Sequence, residues 1–158
     1  MKHIIVSILF ILGLLTNLSA NELTQENVKS FLHESDKIVL NKNVEKLAEL
    51  LDENVDITIT VAFNGKNQTT KLSKSEYLAK TKEGFTATQN YEYKILDRKI
   101  KIKNDIAYVL EETEEKYTYN NQKVTGLSKV NNQIKLINNK LKLVKIEVVL
   151  NNIKMDKI

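Results

Sequence analysis

The chain has 158 residues, with 24 basic against 20 acidic side chains and a formal net charge of +4. It holds no cysteine and no proline, which excludes a disulfide framework and thiol chemistry and argues against a linker-rich array. The basic excess is not a nucleic-acid footprint. Arg98 is the sole arginine and the lysines are spread along the whole chain, whereas specific readers use arginine forks on a clustered basic face.

The first 20 residues follow the order of a secretory signal peptide. Met1-Lys2-His3 is a short basic start, Ile4 to Leu15 is apolar apart from Ser7 and Gly13, and Thr16 to Ala20 turns polar and small. The apolar run is well short of the roughly 20 residues that cross a membrane, and no cysteine follows it for lipid attachment. The expectation is a periplasmic or secreted protein with no stable membrane anchor after cleavage, residues 1–20 being removed. One domain over 21–150 and a loose C-terminal tail over 151–158 complete the division. Cleavage removes one lysine and no acid, so the mature charge is +3.

Thr24 is a good N-cap, and Leu23 with Val28 has the spacing of a hydrophobic staple. Val28, Phe31, Leu32, Ser35, Ile38 and Val39 then form a stripe at helical spacing. Asn41-Lys42-Asn43 interrupts it. Asn43 caps a second helix whose apolar face is Val44, Leu47, Ala48, Leu50 and Leu51. The period next switches to two: Val55, Ile57, Ile59, Val61 and Phe63 alternate with Asp56, Thr58, Thr60 and Ala62, a half-buried strand. Asn64-Gly65 reads as a hairpin turn, and Gln68 to Lys71 as the returning strand. Ser73 and Glu76 form a capping box that opens a third helix through Tyr77, Leu78 and Thr81, with Gly84 as its stop.

The remainder reads as sheet. Tyr91, Tyr93 and Ile95 are odd-numbered while Ile100 and Ile102 are even, so the parity change predicts a bulge between Leu96 and Arg98. Asn104-Asp105, Asn120-Asn121 and Asn138-Asn139 read as turns. They bound strands over Ile106–Tyr119, Gln122–Ile137 and Lys140–Leu150, the last bent between Leu143 and Val144 by the same parity argument. Asn131-Asn132 fits either a further turn or the strand.

The resulting order, α-α-β-β-α-β-β-β-β, has a local texture as well. Asn104-Asp105-Ile106-Ala107-Tyr108-Val109 is a turn into a central strand, and Asn139-Lys140-Leu141-Lys142-Leu143 is a closing turn. Both resemble segments of the nuclear transport factor 2-like (cystatin-like cone) superfamily, to which the SnoaL-like polyketide cyclases and the ketosteroid isomerases belong. The closing turn departs from that pattern by carrying Asn for Gly and Leu for Trp. The resemblance covers nearly all of Leu23 to Leu150. It implies an α+β cone, a strongly curved, mostly antiparallel sheet wrapped around the N-terminal helix. It also implies a pocket at the open end, and homodimers through the outer sheet face.

Candidate site residues follow from the strand faces. Tyr91 and Tyr93 share a face with Ile95, and a pocket tyrosine can donate to a developing oxyanion; the alternative is a rim tyrosine with a wet tip. Tyr77 carries the same two readings. Within Glu111-Glu112-Thr113-Glu114-Glu115, alternation puts Glu111, Thr113 and Glu115 on one face and Glu112 and Glu114 on the other. One set reaches into the pocket as a raised-pKa base, or all are solvated and paired with lysines across the strands. The pocket candidates are therefore Tyr77, Tyr91, Tyr93, Glu111 and Thr113. His33 points away from the stripe of the first helix and into solvent, so it is no catalytic base. Lys99, Lys101 and Lys103 read as an outer surface, and Asp97-Arg98 as a structural pair at the bulge. No catalytic residue, metal or cofactor is assigned. The reading is a module binding a small, largely apolar ligand or a protein partner. The alternatives are an isomerase- or cyclase-type acid–base enzyme and an interaction protein acting through its outer sheet.

Overall fold

In the computed structural model, which describes residues 22–63 and 66–157, helix α1 spans Gln25–Leu40 and α2 Val44–Leu50. Strands β1 (Leu51–Phe63) and β2 (Lys66–Leu72) follow, then α3 (Lys74–Ala87). The chain continues as β3 (Gln89–Lys103), β4 (Ile106–Tyr119), β5 (Gln122–Ile137) and β6 (Lys140–Lys157). This is the expected order. The signal peptide at 1–20 and the Asn64-Gly65 turn lie outside the described residues. The six strands make one unclosed, curved sheet in the order β2-β1-β6-β5-β4-β3. Strand β1 runs parallel to β6, and all other pairs are antiparallel.

The helix starts are capped as the sequence predicts. Thr24 Oγ1 accepts from the Asn27 N–H at 3.2 Å and Asn43 Oδ1 from the Lys46 N–H at 3.0 Å. At α3 the Ser73 N–H donates to Glu76 Oε2 at 2.8 Å while the Glu76 N–H donates to Ser73 Oγ at 3.3 Å, so two orphan donors are satisfied reciprocally. The predicted stop at Gly84 is corrected. Gly84 sits inside α3, which runs on to Ala87. A glycine costs a helix interior about 1 kcal/mol but does not end it. The end comes at Thr88, which turns extended and sends both its N–H and its hydroxyl back to the Gly84 carbonyl, at 3.0 and 2.8 Å.

Three two-residue turns join the last four strands. Asn104-Asp105 (φ 51° and 57°), Asn120-Asn121 (47° and 58°) and Asn138-Asn139 (49° and 58°) are left-handed at both positions. That is the type I′ geometry matching the right-handed twist of a hairpin, and asparagine and aspartate tolerate it. Asn131-Asn132 makes no turn and lies within β5. The two parity breaks are bulges. On β3 the register passes from Ile95↔Thr113 to Asp97↔Glu112, leaving Leu96 as the extra residue. On β6 it passes from Leu143↔Ile134 to Lys145↔Gln133, leaving Val144.

The loose tail expected from 151 onward is corrected too. Residues 151–157 continue β6, and Lys154, Met155, Asp156 and Lys157 pair with Thr125, Val124, Lys123 and Gln122. Chain ends are loose unless tied down, and here the edge of β5 ties this one down by pairing with it. A further irregularity, between Thr125 and Leu127 on β5 with Asn152 of β6 at φ 52°, keeps the two strands in step.

The core lies between α1 and the concave face at one end of the sheet. Val28, Phe31 and Leu32 of α1 pack with Leu51, Ile57, Ala107, Val109, Ile134, Leu143 and Ile146. His33 is exposed, as its helix position requires.

Candidate functional site

Strand register sorts the concave face into rows that run from the packed core toward the opposite end of the sheet. Ile100, Val109, Asn132 and Ile146 stand side by side at the core. Arg98, Glu111, Val130 and Val148 form the next row, then Ile95, Thr113, Ser128 and Leu150, then Tyr93, Glu115 and Gly126. Apolar side chains thus give way to charged, then small and polar, then aromatic ones. The space left above them is not filled. One hollow of about 150 Å³ is lined by the Arg98 row, by Thr113 and Ser128 of the next, by Tyr77 of α3 and by Leu32, Ser35, Asp36 and Val39 of α1. A second, of about 260 Å³, adjoins it through the shared residues Val39, Leu47, Tyr77 and Glu115, and is bounded by Phe85, Tyr91 and Tyr117.

At the inner end Arg98 bridges two carboxylates from two other elements. Its Nε donates to Glu111 Oε1 at 2.5 Å, and its two terminal nitrogens donate to Asp36 Oδ2 and Oδ1 at 3.0 and 2.8 Å. The fork grips Asp36 with two parallel bonds, the geometry that arginine offers and lysine does not. The bulge at Leu96 creates the arrangement. Without the extra residue Asp97 would face inward; with it, Asp97 faces out to Lys99 at 3.0 Å and Arg98 turns in. The expected Asp97-Arg98 pair is therefore split across the two faces of the sheet. Burial pushes the Glu111 carboxyl up, and the Arg98 guanidinium acts against that push.

Glu115 is in a different position. Among the described residues no lysine or arginine lies within ion-pairing distance of it. Burial raises its carboxyl, and the Tyr91 hydroxyl beside it acts in the opposite direction. Burial also raises the hydroxyls of Tyr77, Tyr91 and Tyr93, with Glu115 adding to the effect at all three. A carboxyl held above its ordinary range next to phenolic donors can take up a proton more readily than an exposed one, or accept a hydrogen bond from a bound molecule. One acceptor in the hollow has no hydrogen-bond partner among the described residues: Asn132 Oδ1 is buried and unbonded.

Of the residues named from sequence, Tyr77, Tyr93, Glu111 and Thr113 line the inner hollow, and Tyr77 and Tyr91 the outer one. The two faces of the glutamate run separate as alternation requires. Glu111 and Thr113 are buried, while Glu112 and Glu114 face out to Lys129 and Lys116 at 3.6 and 2.7 Å. Sequence reasoning missed Asp36, Ser128 and Asn132. For Asp36 a signal existed: it lies four residues after Leu32 and three before Val39, so a charge sits on the apolar stripe. Ser128 and Asn132 gave none, because a polar residue in a strand ordinarily faces water.

No family model matches the chain, and no curated protein is significantly similar to it in sequence. Solved structures are similar in shape. A nuclear transport factor 2-like protein from Cytophaga hutchinsonii superposes with a TM-score of 0.64 at 18% identity, over 82% of this chain and 100% of that one. A candidate scytalone dehydratase from Novosphingobium aromaticivorans gives 0.64 at 11%, over 80% and 83%. LinA gives 0.65 at 11%, over 80% and 85%. The chain has the nuclear transport factor 2-like fold.

Proposed function

We propose that this domain binds a small molecule in the hollow of the cone, outside the cytoplasm. The observation that carries the reading is the pair of adjoining hollows, whose combined size falls in the lower part of the range of roughly 300–1,000 Å³ common for ligand pockets. Their lining is a mixture of apolar side chains and a few convergent polar groups, the composition such pockets have. The export part of the proposal rests on residues 1–20. It is checked by fractionation and by N-terminal sequencing, which should begin at Asn21. The interaction-protein reading needs a filled cone and an apolar outer patch. The hollow cone, and the charged Glu112, Lys129 and Glu147 around the exposed Leu110 and Val149, favour the small-molecule reading over it.

The binding test is a thermal-shift screen against small aromatic and alicyclic alcohols, ketones, acids and amines, with hits repeated on Ser128→Phe. Ser128 is buried at the wall of the inner hollow, so the larger side chain occupies ligand space. Binding at 100 times Kd stabilises a protein by about 2.7 kcal/mol. The reading requires hits whose shifts vanish in the variant. A screen without hits, or hits indifferent to Ser128→Phe, overturns it. A second reading, acid–base catalysis, is favoured by one observation, the Glu115 carboxyl beside Tyr91. It predicts turnover that Glu115→Gln abolishes while binding survives.

A further inference from the structure

The polar groups of the hollow are unbalanced in one direction. Asp36, Glu111 and Glu115 line it, against Arg98 as its one lining cation among the described residues. That cation is already committed. Each of its three guanidinium nitrogens donates to Asp36 or Glu111, which leaves no free fork for an anionic ligand. One buried acceptor lacks a partner, Asn132 Oδ1 at the core end, and Glu115 at the aromatic end has no ion-pair partner among the described residues. Around Glu115 stand the rings of Tyr77, Tyr91 and Tyr117, with Phe85 set edge-on to Tyr91 at 5.7 Å. Aromatic faces attract cations through the ring quadrupole. The chain itself uses this mode at the same place: Lys42 Nζ lies 5.6 Å from the Tyr91 centroid, held by the Phe85 and Thr88 carbonyls at 3.0 and 2.9 Å.

We propose that the molecule taken by the hollow is a small organic cation, a protonated amine or a methylated ammonium. Its nitrogen sits at Glu115 among the tyrosine rings, and its apolar part extends toward Thr113 and Ser128. This rests on the small-molecule reading above and adds the ligand's charge to it. An ammonium offsets a carboxylate that has no ion-pair partner among the described residues, at a place walled by aromatic rings. A carboxylate ligand would meet three of its own kind and no available donor fork.

The test is calorimetric titration of protein expressed from the full chain with benzylamine, benzyl alcohol and benzoate, which share one ring and differ in charge, and with choline. The expected result is saturable binding of benzylamine or choline, at least about tenfold tighter than benzyl alcohol, with benzoate weakest. Glu115→Gln, nearly isosteric, removes the preference for charge, and Tyr91→Leu weakens the cations more than the alcohol. Unchanged melting of each variant by circular dichroism shows that the fold is kept. Three outcomes overturn the proposal: equal or tighter binding of the alcohol or benzoate, a charge preference that survives Glu115→Gln, or no binding of any probe. The first leaves the small-molecule reading standing when Ser128→Phe abolishes that binding. The last, together with an empty wider screen, removes both.

Discussion

Replacing Arg98 by methionine isolates the bridge that ties α1 to the middle of the sheet. The side chain of Glu111 is 4% exposed, that of Arg98 21% and that of Asp36 23%. Removing one partner of a fully buried ion pair costs about 3–5 kcal/mol, because the remaining charge stays uncompensated. Partial access of water to Asp36 and Arg98 places this case near the lower limit, at about 3 kcal/mol. For a domain of this size that lowers Tm by roughly 10 °C. Lysine should recover less than half, since one ammonium cannot reproduce the fork on Asp36 and the bond to Glu111 together. The penalty should also shrink as pH falls, because protonating Glu111 removes the charge left stranded. Urea denaturation followed by circular dichroism at neutral and acidic pH measures all three effects. A loss within about 0.5 kcal/mol, the ordinary range for surface substitutions, would refute the argument that the bridge is desolvated.

Glu115→Gln should raise Tm at neutral pH and flatten its pH dependence. Burial raises this carboxyl in the folded chain, so the folded state holds the proton more tightly than the unfolded one. The protonated form's contribution is therefore full below the unfolded pKa and is lost as pH rises through the folded value; melting curves at stepped pH check it. Deleting residues 151–158 should lower stability by about 1–3 kcal/mol by freeing the β5 edge and uncovering Val124, which is 4% exposed, readable in urea midpoints. Ser73→Ala removes half of the capping box at α3 and should cost about 1 kcal/mol, with the loss confined to α3 amides in hydrogen exchange.

The fold was legible where local chemistry decides it. Thr24, Asn43 and Ser73 each offer a side-chain oxygen to a helix start, and three paired turns use residues that tolerate positive φ. The parity shifts at Leu96 and Val144 were visible because strand side chains alternate without exception outside a bulge. What failed depended on tertiary context. Gly84 looks like a stop in isolation, yet nothing lies within 4 Å of the Cβ it lacks and the helix passes through. The segment 151–157 is polar and exposed, and only the presence of the β5 edge makes it a strand.

The site was half legible for the same reason. Parity assigned Glu111 and Thr113 to one face and Glu112 and Glu114 to the other, but it does not say which face is concave; α1 decides that by covering it. Asp36 and Arg98 are 62 residues apart in sequence, and no local pattern joins them. Their meeting follows from two independent facts, a charge placed on a buried helical stripe and a bulge that inverts one strand's parity. Each alone would bury an unpaired charge, which a domain stabilised without disulfides would not tolerate. A deletion of Leu96 that straightens β3 would return Asp97 to the inside beside Asp36 and Glu111. It should therefore destabilise the domain more than Arg98→Met does, and Asp97→Arg in that background should restore most of the loss, because it puts the guanidinium back in the position the bulge now gives it.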